Sequence, residues 1–211
     1  MRLVFGFGDI ARRGIIPAIG GDGTTVDVTD FHAVDESIRM NEPDVVVNCA
    51  GVSHPAPLAG PIAGAWREEI EVNLIGSYNI ARASVAHNVR TMIFIASVAG
   101  MHGKPHHSGY SASKAGVISL VQSLGHEGYN AYAISPGRVD TKMREHDYPG
   151  EDPRTRLTCE QVGAVASAIL AGKYERGDNI IVRKIGFETH LKVDRGEPWR
   201  SWLRVGEAPI V

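Results

Sequence analysis

The chain predicts an α/β doubly wound parallel sheet, folded as a single domain over residues 1–211. Three observations lead there. Short apolar stretches of strand character alternate with longer stretches of helical periodicity. Two of the strand stretches, Asp44-Val45-Val46-Val47-Asn48 and Thr91 to Ala96, are apolar at successive positions, the pattern of strands buried on both faces. Finally, the residues that stand out chemically all fall where a strand gives way to the next element: Gly6 and Gly8, Asp27, Asn48 to Gly51, Ser97, and Pro136 to Thr141. Open sheets of this class bind ligands at that edge.

Taken in order, Leu3-Val4-Phe5 is a short strand entering Gly6-Phe7-Gly8-Asp9-Ile10-Ala11, a Gly-x-Gly-x-x-Ala turn. Glycines there permit a tight bend, and the helix N-terminus favours a pyrophosphate. Gly14 and Pro17 make the following helix short or kinked. Thr24 to Val28 reads as a β-branched strand, and Asp30 caps a helix running to Met40. After the Asp44–Asn48 strand come the small residues Cys49-Ala50-Gly51, a Pro/Gly-rich loop and a long helix from about Ala65 to Ala86. The Thr91–Ser97 strand leads to a helix from about Gly109 to Leu124, and Tyr129 to Ser135 forms the next strand. Residues 142–157 are charged and hold Pro149, Gly150 and Pro153, so they read as a mobile loop at a substrate site. Thr158 and Gln161 make a capping box for a helix to Ala171, and Asn179 to Val182 is a further strand. The tail from about 186 to 211 is atypical; alternation around Thr189, Leu191 and Val193 suggests an edge strand.

Composition narrows the function. With 22 Lys and Arg against 24 Asp and Glu, no basic excess marks a nucleic-acid or membrane footprint. No run is long enough to span a bilayer, and the apolar start is too short for a signal peptide. The two cysteines, Cys49 and Cys159, have no metal-ligand or disulfide spacing and read as free thiols in a cytoplasmic protein. His102, His106 and His107 crowd one loop without a supporting carboxylate or cysteine set, so they read as substrate-facing or solvated rather than as metal ligands. No metal is expected. His54 falls at the pocket edge, Cys49 reads as packing, and the Trp199 and Trp202 pair as a packing or subunit contact.

Chemistry concentrates between Ser97 and Lys114. On a helix, Tyr110 and Lys114 share one face a turn apart. An ammonium beside a phenol favours the phenolate and draws the tyrosine towards a range where it exchanges protons. Ser97, at a strand end, supplies a hydroxyl to the same point.

These pieces together resemble the short-chain dehydrogenase/reductase family. The matching residues are Asp27-Val28-Thr29-Asp30, Asn48-Cys49-Ala50-Gly51 (Asn-Asn-Ala-Gly in the family), Asn73 in Val-Asn-Leu-x-Gly, Ser97, Tyr110-x-x-x-Lys114 and Ser135-Pro136-Gly137-Arg138-Val139-Asp140-Thr141. The match runs from about Pro43 to Met143. The resemblance implies a Rossmann-like fold and interconversion of an alcohol and a carbonyl with NAD or NADP. It makes Tyr110 the general acid or base and Lys114 its tuner and holder of the nicotinamide ribose. Ser97 becomes the donor to the substrate oxygen, and Asn73 the residue positioning a relay water. It further places Thr141, Val139 and Pro136 at the carboxamide, Asn48, Ala50 and Gly51 on the adenosine side, and Gly6, Gly8, Ile10, Asp27 and Val28 along the rest of the cofactor. A small-molecule substrate and a homodimer or homotetramer are expected by the same resemblance.

The first 30 residues depart from the pattern. The family carries Thr-Gly-x-x-x-Gly-x-Gly after its first strand, and the interval from Gly6 to Asp27 is one strand and one helix short. Asp27 then has two placements: in its family position, touching the adenine, or on a strand closed up directly beside the first, where its carboxylate reaches the adenosine ribose. The second favours NAD over NADP, because a carboxylate repels a 2′-phosphate. Arg12 and Arg13 offer the opposite preference but read as solvated surface. Two other functions share these features. Nucleotide-sugar epimerases or dehydratases with retained NAD use the same Tyr/Lys pair but need more chain after Thr141. A non-catalytic dinucleotide sensor would not need Ser97, Asn73, Tyr110 and Lys114 together.

Overall fold

A computed structural model describes residues 1–195 apart from 7, 61 and 62. Trp199 and Trp202 lie outside the described residues. Seven strands form one sheet: β1 (Arg2–Phe5), β2 (Asp22–Thr24), β3 (Val45–Asn48), β4 (Thr91–Ile95), β5 (Ala131–Pro136), β6 (Asn179–Ile185) and β7 (Glu188–Asp194), in the order β2-β1-β3-β4-β5-β6-β7. All neighbours pair in parallel except β6 and β7, whose register runs from Asn179 opposite Asp194 to Ile185 opposite Glu188. The strand expected around Thr189 to Val193 is therefore present as the antiparallel edge.

The helices are α1 (Ile16–Ile19), α2 (Phe31–Asn41), α3 (Ala63–Ile70), α4 (Gly76–Ala86), α5 (Ser108–His126), α6 (Lys142–Asp147) and α7 (Cys159–Leu170). Strand side chains alternate between two cores. Leu3, Phe5, Val46, Met92 and Phe94 meet residues of α2, α4 and α5 on one face. Val4, Val47, Ile93, Ile95 and Ile134 meet Ile15, Val162 and Ile169 on the other. Burying each such side chain is worth roughly 1.5–3 kcal/mol.

Local chemistry sets the helix ends. Asp30 accepts from the backbone N–H groups of His32 and Ala33 at 2.9 and 3.1 Å to start α2. Both bonds of the Thr158–Gln161 capping box are made, at 2.8 and 3.3 Å. The helix after β1 is indeed irregular: Ile10–Ile15 is π-helical and α1 continues it with Pro17 in its first turn. Gly14 does more than weaken it. A Cβ there would overlap the Cys159 carbonyl oxygen at the start of α7.

At the N-terminal edge the sheet has closed up. Leu3 pairs with Asp22 and Phe5 with Thr24 in β2, while β3 lies on the other side of β1. The strand expected at Thr24 to Val28 is shifted and shorter. Val28 leaves the sheet because it is needed elsewhere: it is 3 % exposed, packs against Gly76 at the start of α4, and its carbonyl accepts from Asn79 Nδ2 at 3.0 Å. The segment expected as a loop at 142–157 also differs, since Lys142–Asp147 is helical. Thr141 caps it by accepting from the Arg144 N–H at 3.1 Å.

Candidate active site

Strands β1, β3, β4 and β5 end side by side, so their following residues gather at one edge. Ile10, Cys49, Gly51, Ser97, Tyr110, Lys114, Pro136, Val139 and Thr141 all line a single cavity of about 130 Å³. Ser53, Lys104, His107, Arg144, Asp147 and Tyr148 complete its polar wall. A larger cavity of about 310 Å³ is lined by His54, Trp66, Glu69 and Gly109, and by none of Ser97, Tyr110 and Lys114. Those three residues meet in the smaller one.

The α5 helix presents Tyr110 and Lys114 on one face, as their spacing requires. Lys114 is 4 % exposed; its Nζ donates to the Ile95 carbonyl at 2.9 Å and lies 5.7 Å from the Tyr110 ring centroid. Burial pushes the Tyr110 phenol up to about 12, while its hydrogen bond with Ser97 draws it down. Burial also lowers the Lys114 ammonium to about 8. The sequence expectation that Lys114 pulls Tyr110 down is not met here. Desolvation dominates both groups, and the ammonium is turned onto a backbone carbonyl.

Asn73 sits outside the cavity wall, at the centre of a π-helical turn, Glu71–Ile75, that joins α3 to α4. Its side chain is fully engaged. The Oδ1 accepts from the Val52 N–H at 2.8 Å, and Nδ2 donates to the Val52 carbonyl and to Ser113 Oγ at 3.0 and 3.1 Å. Asn73 thus clamps the segment after Gly51 against α5. Asn48 does similar work one strand end away: it accepts from the Ala50 N–H and donates to Ser77 Oγ, each at 3.0 Å.

Gly6 has φ +81°, and a Cβ on it would stand 2.6 Å from the Ala50 nitrogen, so only glycine lets the two turns meet. Gly8 is exposed. Asp27 is exposed beyond β2, and its Oδ1 accepts from both the N–H and the hydroxyl of Thr29, at 2.9 and 2.8 Å. Those bonds lower its pKa. Gly6, Gly8, Asp27, Val28, Asn48 and Ala50 are not on the wall that holds Tyr110.

Arg144 and Tyr148 were not singled out from the sequence, whereas His107 was read there as substrate-facing or solvated. His107 is 7 % exposed and stacks on Tyr148 with ring centroids 5.7 Å apart, its Nε2 3.2 Å from the Tyr148 hydroxyl. Arg144 covers the Tyr148 ring at 3.6 Å and forms two bonds with Glu151, at 2.6 and 2.8 Å. A signal existed: Thr141 as a cap and Pro149-Gly150 as a stop bracket one short helix. Of the other histidines, His102 is exposed and His106 adopts φ 64° while its carbonyl accepts from the Ala56 N–H at 2.7 Å. No described helix is long and apolar enough to cross a membrane.

Comparison with known proteins agrees with this architecture. A family model described as short chain dehydrogenase matches residues 21–152. The 3-oxoacyl-[acyl-carrier-protein] reductase MabA of Mycobacterium avium is 33% identical over 177 residues, covering 78% of this chain and 65% of that protein. The FabG reductase of Thermotoga maritima is 31% identical over 190 residues, covering 82% and 77%. The chain thus spans slightly less than two thirds of its Mycobacterium avium relative. Among solved structures, a short-chain dehydrogenase/reductase from Brucella melitensis, titled glucose/ribitol dehydrogenase, superposes with a TM-score of 0.75 at 18% identity, over 86% of this chain and 94% of that one. A 3-oxoacyl-[acyl-carrier protein] reductase with bound NAD, also from Brucella melitensis, gives 0.69 at 21% identity over 85% and 88%. These two show the shared fold. The strand order, the edge at which Ser97, Tyr110 and Lys114 meet, and the matched span place the chain in the short-chain dehydrogenase family.

Proposed function

We propose that this chain is an NAD(P)-dependent oxidoreductase that interconverts an alcohol and a carbonyl, with Tyr110 exchanging the proton. The observation that carries the reading is the meeting of Ser97, Tyr110 and Lys114 in one cavity. In reduction, the carbonyl carbon receives a hydride, the carbonyl oxygen receives the Tyr110 proton, and NAD(P)H is oxidised. The reverse direction returns both. Bound in the cavity, a nicotinamide supplies or takes that hydride; orientation and proton traffic fall to the protein.

The residues fit the nicotinamide half of such a cofactor. Pro136, Val139 and Thr141 line the cavity together with Lys114, the first three suited to the carboxamide and Lys114 to the ribose. Gly51 lets the backbone pass close to Asn73 and Lys114, since a Cβ there would lie 3.1 Å from Asn73 Oδ1 and 3.4 Å from Lys114 Nζ. Ser97 holds the substrate oxygen as charge develops on it. Tyr110, at about 12, carries its proton at neutral pH and is ready to act as an acid. On the adenosine side NAD is favoured. Asp27 offers a carboxylate beyond β2, while Arg13 is turned onto Asp140, 3.2 Å from its carbonyl and 3.7 Å from its carboxylate. Asn73 serves by holding Val52 and Ser113 in place, and a homo-oligomer follows from the family pattern.

Titration with NADH and NADPH, followed by nicotinamide fluorescence and by turnover of a carbonyl panel, tests the reading. NADH binding and turnover are expected, with Tyr110→Phe losing about 10²–10⁴ in kcat. Binding of neither nucleotide would sink it. Binding without turnover, and no effect of Tyr110→Phe, would favour a sensor.

A further inference from the structure

Two polar atoms on the wall around Tyr110 are buried and have no hydrogen-bond partner among the described residues: Asp147 Oδ1 and Ser53 Oγ. Several neighbours on that wall are engaged. His107 binds the Pro105 carbonyl and the Tyr148 hydroxyl. Arg144 is held by Glu151, Lys114 by the Ile95 carbonyl and Thr141 by the Arg144 N–H. A buried carboxylate oxygen accepts hydrogen bonds only and is costly to leave without a donor. Asp147 lines the same cavity as Ser97, Tyr110 and Lys114.

The required donor is neutral. Lys104, Lys114 and Arg144 share the cavity with Asp147, so an ammonium entering it meets three basic side chains. A hydroxyl satisfies Asp147 Oδ1 without that repulsion, and a hydroxyl or ether oxygen suits Ser53 Oγ, which both donates and accepts. Building on the oxidoreductase reading, we propose that the cavity selects a hydroxylated carbonyl compound, a hydroxy-ketone or hydroxy-aldehyde whose free hydroxyl donates to Asp147 Oδ1. Asp147 is the residue that sets this preference. A plain acyl chain leaves both orphaned atoms unsatisfied and is disfavoured.

Isosteric ketone pairs test this: hydroxyacetone against butanone, and 4-hydroxy-2-butanone against 2-pentanone, each with NADH and NADPH. For the intact protein, kcat/KM favours the hydroxylated member of at least one pair by about tenfold or more. In Asp147→Leu that ratio falls to within about threefold of unity, and Asp147→Asn, which keeps an accepting oxygen and the side-chain shape, gives an intermediate ratio. Because the readout is a ratio within one preparation, partial unfolding does not mimic it. A ratio near unity in the intact protein overturns the proposal, as does a ratio that survives Asp147→Leu. A weakened NADH affinity with an unchanged ratio assigns Asp147 to the cofactor and overturns it as well. Absence of turnover for every ketone with both nucleotides removes the oxidoreductase reading and this inference with it, a result distinct from an unchanged ratio.

Discussion

The Asp9 carboxylate accepts a hydrogen bond from the backbone N–H of Lys142 at 2.8 Å, across 133 positions of sequence. One residue beyond Gly8, it ties the glycine turn after β1 to the first turn of α6. It also puts negative charge, facing Arg12 at 3.7 Å, at the turn that the proposed reading gives to a dinucleotide's phosphates.

Asp9→Asn keeps an accepting oxygen for Lys142 and removes the charge. NADH is expected to bind about 3–10-fold more tightly at low ionic strength, with the gain shrinking as salt screens the interaction. Fluorescence titration at two salt concentrations reads this out. Weaker binding by the variant would instead make the tie to α6 the dominant role of Asp9.

Lys114 and Tyr110 give stability a pH signature with two opposed parts. The Lys114 pKa is lowered from 10.5 to about 8, so between those values the unfolded chain binds more protons and stability rises with pH. The Tyr110 pKa is raised from 10.0 to about 12, so across that window the folded chain holds more protons and stability falls. Lys114→Met should remove the first part. The variant is expected to be more stable than the parent at pH 7 by on the order of 1 kcal/mol, after the loss of the Ile95 bond, with the gap closing by about pH 9 and reversing above it. Urea midpoints measured from pH 7 to 10.5 check it. An equal stability offset at every pH would show that burial of the ammonium is not what costs the fold.

Glu151 gathers Arg138, Arg144 and Arg156. The Arg144 bond, opposed by desolvation and aided by the Arg138 charge, holds its pKa at about 2 instead of 4.5. A depressed carboxylate contributes its stability above the unfolded value and loses it as pH falls from about 4.5 towards 2. Limited proteolysis within 142–157 should therefore accelerate over that interval. Glu151→Gln should show the faster cleavage at pH 7 and cost about 1–2 kcal/mol. Unchanged cleavage in the variant would mean that the Thr141 cap and the Tyr148 stack suffice to hold α6.

Much of this molecule was legible in the sequence, where the signal is local. The Thr158–Gln161 box, the Asp30 cap and the i, i+4 face of Tyr110 and Lys114 depend on neighbours within one turn, and each is found as its spacing implies. Successive apolar residues marked β3 and β4 because both their faces are covered. What was not legible depends on distant partners. Helix α6 is only six residues, too short for periodicity to show, and is secured by Thr141 and Glu151. Val28 has strand character but is taken up by α4. Spacing placed Lys114 next to Tyr110, but the direction of the Tyr110 pKa follows from burial, which spacing does not report.

The closed edge at β2 carries a broader lesson about how such sheets tolerate loss. Each strand takes its register from its immediate neighbours, so a strand and helix missing at the rim leave Val46 opposite Met92 and Ile93 opposite Tyr132 undisturbed. Ser97 follows the central strand β4, and Lys114 of α5 is tied to it through the Ile95 carbonyl, whereas the proposed reading gives the far end of a dinucleotide to the rim. On the proposed reading, reaction chemistry and cofactor residence time are then separate modules, and a sheet shortened at this edge alters the second while leaving Ser97, Tyr110 and Lys114 in one cavity.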